Sequence, residues 1–240
     1  MEKTAILFDL DGTLLPMDQE VFIENYVKLL MGTAASLGYK TETLVRALWQ
    51  GVEGMSSNDG SQTNDKVFWD IFSETLGSKE EVLSLAPEFL QFYSNEFDQA
   101  RTAATFNPLA KEAVTLAREK ADVVILATNP QFPIEGVNTR LRWTGLEPGD
   151  FDDITDYTSC TYCKPNPAYY TEILNKHGIA AENALMVGND IDEDIKAARS
   201  AGLHTYLIKD CQIGRSGGVK TRQGSFAEFV EELKASDGSL

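Results

Sequence analysis

The sequence predicts an α/β fold built on a doubly wound parallel sheet, with an all-α domain inserted into it. Short apolar runs recur along the chain, and they are typical of strands that are buried on both faces of a sheet. Helical patterns separate these runs, and strands that alternate with helices favour a parallel, Rossmann-like sheet. One stretch of about ninety residues has helical spacing and no convincing strand, which predicts the insertion.

Four apolar runs are the predicted strands. They are "AILF" at Ala5–Phe8, "DVVILAT" at 122–128, "ALMVG" at Ala184–Gly188 and "TYLI" at 205–208. Parallel sheets bind their ligands at the carboxyl ends of the strands. Polar residues that directly follow these runs are therefore candidate site residues.

Helical patterns lie between the runs. One begins at the capping residue Asn107, a second ends at Gly178 and a third ends at Gly202, positions that suit helix caps. A last amphipathic pattern, "SFAEFVEELKAS", predicts a helix that packs on the core.

The inserted helical domain is predicted at residues 16–105, and the α/β core at residues 1–15 and 106–240. The inserted domain contains four helical patterns. One of them, "SKEEVLSLAPEFLQFYSNEF", begins with the capping-box pair Ser78 and Glu81. Seven aromatic residues at helical spacing are interpreted as core of this domain rather than as ligand contacts. They are Phe22, Tyr26, Trp49, Phe68, Trp69, Phe89 and Phe92.

Composition excludes several classes of partner. The chain of 240 residues has 37 acidic and 21 basic residues, and a net charge of −16 repels phosphate backbones and anionic lipids. We therefore expect neither nucleic acid nor membrane as a partner. Three cysteines are too few for a disulfide framework, and no targeting or membrane-spanning pattern is apparent, so a cytoplasmic protein is predicted. The sequence carries no signal for an oligomeric state.

Two aspartates follow the first predicted strand in "AILFDLDGTLL". Asp9 and Asp11 point the same way if the strand continues through them, and Gly12 allows a sharp turn just beyond. An Asp-Gly pair alone is usually turn chemistry. Other polar residues at strand ends make a site the better interpretation.

These other polar residues are weak signals one by one. Thr128 and Asn129 follow the second strand, where a hydroxyl and backbone amides can bind an anion. Lys164 precedes two prolines that stiffen its backbone and start a helix. Asp190 follows the third strand, with further acids in the next helical turn.

Taken together, these residues predict a phosphoryl-transfer site. Mg²⁺ takes a few carboxylates together with water and substrate phosphate, and Asp9 and Asp190 can supply the carboxylates. A carboxylate can also attack phosphorus and form an aspartyl-phosphate. The only histidines, His177 and His204, show no catalytic or metal-binding spacing.

At this point the sequence resembles the haloacid dehalogenase superfamily of aspartate-nucleophile hydrolases. Its four motifs occur in order, as "DLDGT" from Asp9, Thr128 in "ATN", Lys164 in "CKPNP", and "NDIDED" from Asn189. The insertion after the first motif is similar to the C1 helical cap of that family. The resemblance covers residues 3 to about 207.

The resemblance implies a role for each position. Asp9 would attack phosphorus, and Asp11 would protonate the leaving oxygen and then deprotonate water. Thr128, with Asn129 beside it, and Lys164 would hold the phosphoryl group.

The resemblance also implies the metal site. Mg²⁺ would be bound by Asp9, by the backbone carbonyl of Asp11 and by Asp190. Asp194 would contact the metal ligands without binding the metal itself, or it would pair with Lys164. The family often has Gly-Asp where this chain has Asn189-Asp190, so the glycine lies one place earlier, at Gly188.

The predicted function is a Mg²⁺-dependent phosphatase for a small phosphorylated metabolite. Asp11 favours phosphate esters, because an aspartate at this position can act as acid and base for an alkoxide leaving group. A phosphomutase on the same core, or an inactive regulatory or binding protein of the same fold, is the alternative. Zinc or redox use of Cys160 and Cys163 in "CTYC" is disfavoured, because no second cysteine pair completes a site.

Overall fold

The computed structural model describes residues 3–36, 38–215 and 217–236. The other positions, which include both ends of the predicted core and one residue of the predicted helical insertion, lie outside the described residues. Six parallel strands form one sheet in the order β3-β2-β1-β4-β5-β6. They are β1 Ala5–Phe8, β2 Val123–Leu126, β3 Asp153–Ile154, β4 Ala184–Gly188, β5 His204–Ile208 and β6 Arg222–Gly224.

Ten α-helices occur within the described ranges. They are α1 Gln19–Ser36, α2 Thr41–Ser56, α3 Asn64–Leu76, α4 Lys79–Ser84, α5 Ala86–Ser94, α6 Ala110–Lys120, α7 Ile134–Trp143, α8 Pro167–His177, α9 Ala197–Ser200 and α10 Phe226–Ala235. A 3-10 segment, Glu96–Ala103, follows α5, and a π-helical turn, Ile191–Lys196, precedes α9. None of the helices in the described part of the chain has the length and apolarity to span a bilayer.

Alternating side chains divide the sheet between two apolar layers. Ile6 and Phe8 lie in one cluster with residues of α6, α7 and α10, whereas Ala5 and Leu7 lie in the other with residues of α8 and α9. Both faces of the sheet are thus covered, as its apolar strands require. The predicted α/β class with a doubly wound parallel sheet is confirmed.

The strand order places a ligand-binding crevice beside β1. The chain adds β2 and β3 on one side of β1 and then crosses to build β4, β5 and β6 on the other side. Parallel α/β sheets bind ligands at the carboxyl ends of the strands where this direction changes. The ends of β1 and β4 are therefore the expected position of a site.

The segment between β1 and β2 is helical, as predicted. Its helices α1–α5 enclose an aromatic core that continues into the α7 side of the sheet. One predicted core residue differs, because Trp49 is 43% exposed. Phe92, by contrast, is almost fully buried.

The sequence missed several elements. β3 and β6 were not predicted, and neither was α7. The helix expected from Asn107 begins only at Ala110, and Asn107 instead accepts a bond from the Leu109 amide. The single helix expected from Ser78 is two helices, α4 and α5, because Pro87 starts a new one.

Candidate active site

Main-chain hydrogen bonds bring the ends of three strands together. The amide of Asp9 donates to Val187 O at 2.9 Å, and the amide of Ala127 donates to Phe8 O at 2.7 Å. These bonds continue the parallel pairing of β1 with β4 and β2 beyond the strands. Asp9, Thr128 and Asn189 therefore emerge side by side at one edge of the sheet.

Asp9 is held by a lysine and a threonine. Its Oδ1 accepts a hydrogen bond from Lys164 Nζ at 2.9 Å, and its Oδ2 accepts one from Thr13 Oγ1 at 3.3 Å. Burial raises the pKa of Asp9 to about 8, while Lys164 opposes that shift. The carboxylate is thus fixed in orientation, as a reacting group must be.

Lys164 joins two predicted site acids. Its side chain is fully buried, and Nζ also donates to Asp194 Oδ1 at 2.6 Å. Burial lowers the pKa of Lys164, but Asp194 and Asp9 together hold it well above its ordinary value. The raised pKa of Asp9 would favour a neutral acid, yet two short contacts to one buried ammonium favour the ionised pair. We therefore describe the three groups as a charged triad.

Asp194 also ties this triad to the loop after β4. Its Oδ2 accepts hydrogen bonds from the amides of Asn189 and Asp190, each at 3.0 Å. A side chain at Gly188 would place its Cβ 2.2 Å from that oxygen. Glycine is therefore required at 188 for Asp194 to approach the backbone.

Asn189 takes the position where the resembled family often has glycine. Its Oδ1 accepts a hydrogen bond from Thr13 Oγ1 at 3.0 Å, and its Nδ2 donates to Cys211 O at 2.7 Å. The side chain lies against Gly12, whose φ of +93° and lack of a Cβ allow this contact. Asn189 thus links the loops after β1 and β4.

Asp11 pairs with an arginine that the sequence did not indicate. Arg140 on α7 donates through Nη1 to Asp11 Oδ2, and its side chain is 2% exposed. Its guanidinium carbon lies 4.2 Å from the centroid of the Phe132 ring. Burial raises the pKa of Asp11, and Arg140 opposes that shift. Asp11 therefore lies beside Asp9 but contacts a different cation.

Asp190 caps the start of the π-helical turn and lies near a second acid that the sequence did not single out. Asp190 Oδ1 accepts hydrogen bonds from the amides of Asp192 at 2.7 Å and Glu193 at 2.9 Å. The Glu193 carboxylate accepts one from Asn129 Nδ2 at 3.0 Å. Burial raises the pKa of Asp190, and it raises the pKa of Glu193 to about 7.

Six of the seven predicted site residues line one cavity. They are Asp9, Asp11, Thr128, Asn129, Asp190 and Asp194. The seventh, Lys164, reaches Asp9 and Asp194 from beneath the cavity floor. Thr128 is buried, and its carbonyl oxygen accepts a hydrogen bond from Tyr169 at 2.9 Å, which fixes the loop after β2.

The donor set fits a hard divalent cation. Five carboxylates meet at this site, and Lys164 and Arg140 are the cations that contact them directly in the described structure. No three acids, thiols or imidazoles among the described residues are arranged to hold a metal alone. Mg²⁺ does not require this, because it usually keeps several waters and takes one or two carboxylates plus a substrate phosphate.

The two cysteines of "CTYC" are buried apart in different apolar clusters. Cys160 packs beneath the sheet with α8, whereas Cys163 packs with Met55 and Tyr157. Burial raises the pKa of Cys160 to about 12 and also raises that of Cys163. Neither thiol is therefore poised to react as a thiolate.

The structure thus presents paired aspartates and a buried lysine at the carboxyl edge of a parallel sheet, which is where α/β enzymes bind their ligands. The family profile of haloacid dehalogenase-like hydrolases matches residues 3–202 of this chain. The chain belongs to that family. This confirms the predicted superfamily and the enzyme class, a hydrolase.

The two relatives described next share less than a third of the aligned residues with this chain. The chain is similar to a phosphoglycolate phosphatase of Aliivibrio fischeri, with 29% identity over 85% of this chain and 82% of that protein. It is 22% identical to a glyceraldehyde 3-phosphate phosphatase of Methanopyrus kandleri, over 85% and 83% of the two chains. These phosphatases agree with phosphoric monoester hydrolysis.

The fold also matches solved structures. A 2-haloacid dehalogenase of Pseudomonas syringae superimposes with a TM-score of 0.64 at 18% identity, covering 98% of this chain and 99% of that one. At this identity the likeness concerns the fold alone.

Proposed function

We propose that this protein is a Mg²⁺-dependent phosphatase that hydrolyses a small phosphorylated metabolite through an aspartyl-phosphate on Asp9. The observation that carries the proposal is the Asp9 carboxylate, held by Lys164 at 2.9 Å and lining the cavity beside a second aspartate. A carboxylate held in a fixed orientation can act as a nucleophile, and the neighbouring Asp11 can act as acid and base.

In the first half-reaction, Asp9 attacks phosphorus while the bond from phosphorus to the leaving oxygen breaks. Asp11 donates its proton to that oxygen, so the product leaves as an alcohol. Burial raises the pKa of Asp11, which favours the protonated form that this step needs. Thr128 and Asn129 line the cavity, where they would orient the phosphoryl oxygens.

In the second half-reaction, water replaces Asp9 on phosphorus. Asp11, now deprotonated, takes a proton from that water as it attacks. The bond between Asp9 and phosphorus breaks, inorganic phosphate leaves, and Asp11 is protonated again. Lys164 remains against Asp9 throughout and offsets negative charge there.

Asp9, Asp190 and the backbone carbonyl of Asp11 would hold the Mg²⁺. When bound, the ion offsets the charge of the carboxylates and the phosphate. Asp194 would act through Lys164 and through the amides of Asn189 and Asp190, which it contacts.

We also propose that residues 16–105 form a cap over a core of residues 1–15 and 106–240. The support is the cavity, whose lining comes both from the strand ends and from helices α1, α2, α3 and α5. A cap closes a site from water and selects the substrate. The free cysteines at positions 160, 163 and 211 are compatible with the proposed cytoplasmic location.

The cavity favours hydrolysis over the phosphomutase alternative. A mutase that acts on phosphorylated sugars has to hold a second phosphate, which calls for further cations. Arg140 is the one cation among the described lining residues, and Asp11 already offsets its charge through a contact with Nη1.

Asp11→Asn should separate substrates by leaving group. Ethyl phosphate should lose about 10²-fold in kcat/KM, because its alkoxide needs a proton, whereas p-nitrophenyl phosphate should lose about tenfold or less. Steady-state kinetics on both esters would measure this. Equal losses for the two esters would contradict the acid role of Asp11.

Removal of divalent metal should lower both activity and stability. EDTA should reduce phosphatase activity about tenfold or more and Mg²⁺ should restore it, whereas Ca²⁺, which accepts more ligands, should not. Mg²⁺ should also raise Tm by binding the folded state only. Full activity in EDTA together with an unchanged Tm would argue against the metal site.

A further inference from the structure

The cavity above the aspartates has a polar floor and an apolar upper part. Its volume is about 240 Å³. A cavity needs only roughly 10–15 Å³ to hold one water molecule, so this one is many times larger. The floor is formed by the site residues at the strand ends. Six of the aromatic residues that form the rest are Phe22, Tyr26, Phe68, Trp69, Phe72 and Phe132.

The upper part offers few hydrogen-bond partners. Between Met17 and Tyr93, none of the lining residues that the structure describes is charged, and Gln19 is the one amide. The hydroxyls of Tyr26 and Tyr93 already bond each other at 2.9 Å. A substrate rich in hydroxyl groups would lose its bonds to water here and replace few of them.

Arg140 is the one cation among the described lining residues, and Asp11 already offsets its charge. Its Nη1 donates to Asp11 and the guanidinium lies over Phe132, while its Nη2 has no hydrogen-bond partner among the described residues. A second anionic group on the substrate would therefore meet a single cation whose charge Asp11 already offsets, beside the other carboxylates of the site. The charge distribution therefore favours a substrate whose only anionic group is the phosphate.

We infer that the substrate is a phosphate monoester with an apolar alkyl or aryl body, which the aromatic cavity holds while the phosphate meets Asp9. This inference rests on the proposed phosphatase function. The inferred substrate differs from phosphoglycolate and glyceraldehyde 3-phosphate, the compounds for which the relatives are named, because those compounds are small and polar.

A series of straight-chain alkyl phosphates tests the inference directly. From ethyl to hexyl phosphate the leaving alcohols are chemically alike, so differences in kcat/KM report on binding in the cavity. Each CH₂ that becomes buried should raise kcat/KM about fourfold until the cavity is filled. Propyl phosphate should likewise exceed both glycerol 3-phosphate and phosphoglycolate by about tenfold or more.

The outcomes distinguish the two proposals. A flat alkyl series, or a preference for glycerol 3-phosphate or phosphoglycolate over propyl phosphate, would overturn the apolar substrate and leave the phosphatase intact. Absence of turnover for every ester, p-nitrophenyl phosphate included, would overturn the phosphatase and this inference with it.

Two variants test whether the dependence of kcat/KM on alkyl chain length arises from contacts in the cavity. Trp49 lines the cavity and is 43% exposed, while Leu83 is 39% exposed on α4 and is not among the lining residues. Trp49→Gln should lower kcat/KM for hexyl phosphate about fivefold more than for ethyl phosphate. Leu83→Gln should leave the ratio unchanged. Equal ratios in both variants would contradict a role of the aromatic wall.

Discussion

Asp9→Asn should abolish turnover of every phosphate ester, with a loss in kcat of at least about 10⁴-fold. The amide oxygen is a poor nucleophile, and the second aspartate is committed to Arg140 rather than to Lys164. The loss should be the same for alkyl and aryl esters, because both need the covalent step. Burst and steady-state kinetics on p-nitrophenyl phosphate would measure it.

The fold should survive this substitution. Asparagine has the shape of aspartate, and its Oδ1 can still accept from Lys164, while Thr13 keeps its hydrogen bond to Asn189, so Tm should change by only a few degrees. Asp192→Asn is the matched control, since Asp192 is exposed and pairs with Lys196 rather than with the site. Residual activity in Asp9→Asn within about tenfold of the parent would rule out an aspartyl-phosphate at this position.

Mass spectrometry provides an independent test of the same step. In Asp11→Asn the covalent intermediate should accumulate with an activated ester, because water then lacks its base. The adduct should be one phosphoryl group, labile to base, on a peptide that contains Asp9. An adduct on another residue would show that this residue, and not Asp9, is the nucleophile.

The buried strands could be predicted because their sequences are continuously apolar. β1, β2, β4 and β5 are almost entirely buried, and such runs have few alternatives in a chain of this size. β3 and β6 are edge strands of two and three residues with polar sequences. Their pairing depends on the neighbouring strand rather than on local pattern, so nothing in the sequence indicated them.

The predicted site residues share a simple signal, which is their position at the ends of apolar runs. Arg140 has no such signal, because it lies in the second turn of α7, a helix that the sequence did not single out. Pro133 before the helix and the apolar spacing of Val137 and Leu141 could have revealed α7. The contact with Asp11 spans 129 positions and needs the folded sheet.

The aromatic residues of the helical segment show a different kind of ambiguity. Phe22 and Tyr26 are buried core residues and also line the cavity, so core packing and ligand contact are not exclusive interpretations. Helical spacing reports only that a residue faces inward. Whether the inside holds another side chain or an open space depends on how the helices meet.

Lys164→Ala should damage both catalysis and stability. Removing the ammonium leaves Asp9 and Asp194 without a buried counter-charge, and breaking one partner of a buried ion pair costs about 3–5 kcal/mol. For a chain of this size, each kcal/mol corresponds to about 2–4 °C in Tm. We therefore expect Tm to fall by roughly 6–20 °C, as differential scanning calorimetry would measure.

Catalysis should fall by about 10²–10³-fold in kcat/KM, which is typical for the loss of a positioned electrostatic group. The assay has to be run well below the lowered Tm, so that unfolding does not contribute. Lys164→Arg provides a second variant that keeps the charge, and it should recover more stability than activity, because a guanidinium cannot reproduce the two contacts of Nζ at 2.9 and 2.6 Å.

Lys196→Ala is the matched control for the lysine. Lys196 also contacts an aspartate at 2.6 Å, but its side chain is 47% exposed, and such pairs contribute little because water screens them. Its removal should leave kcat/KM and Tm nearly unchanged. If Lys164→Ala behaved like Lys196→Ala, the buried triad of Asp9, Lys164 and Asp194 would have no part in holding the reacting carboxylate. A large loss confined to Lys164 would instead tie the charge beneath the cavity floor to the chemistry above it.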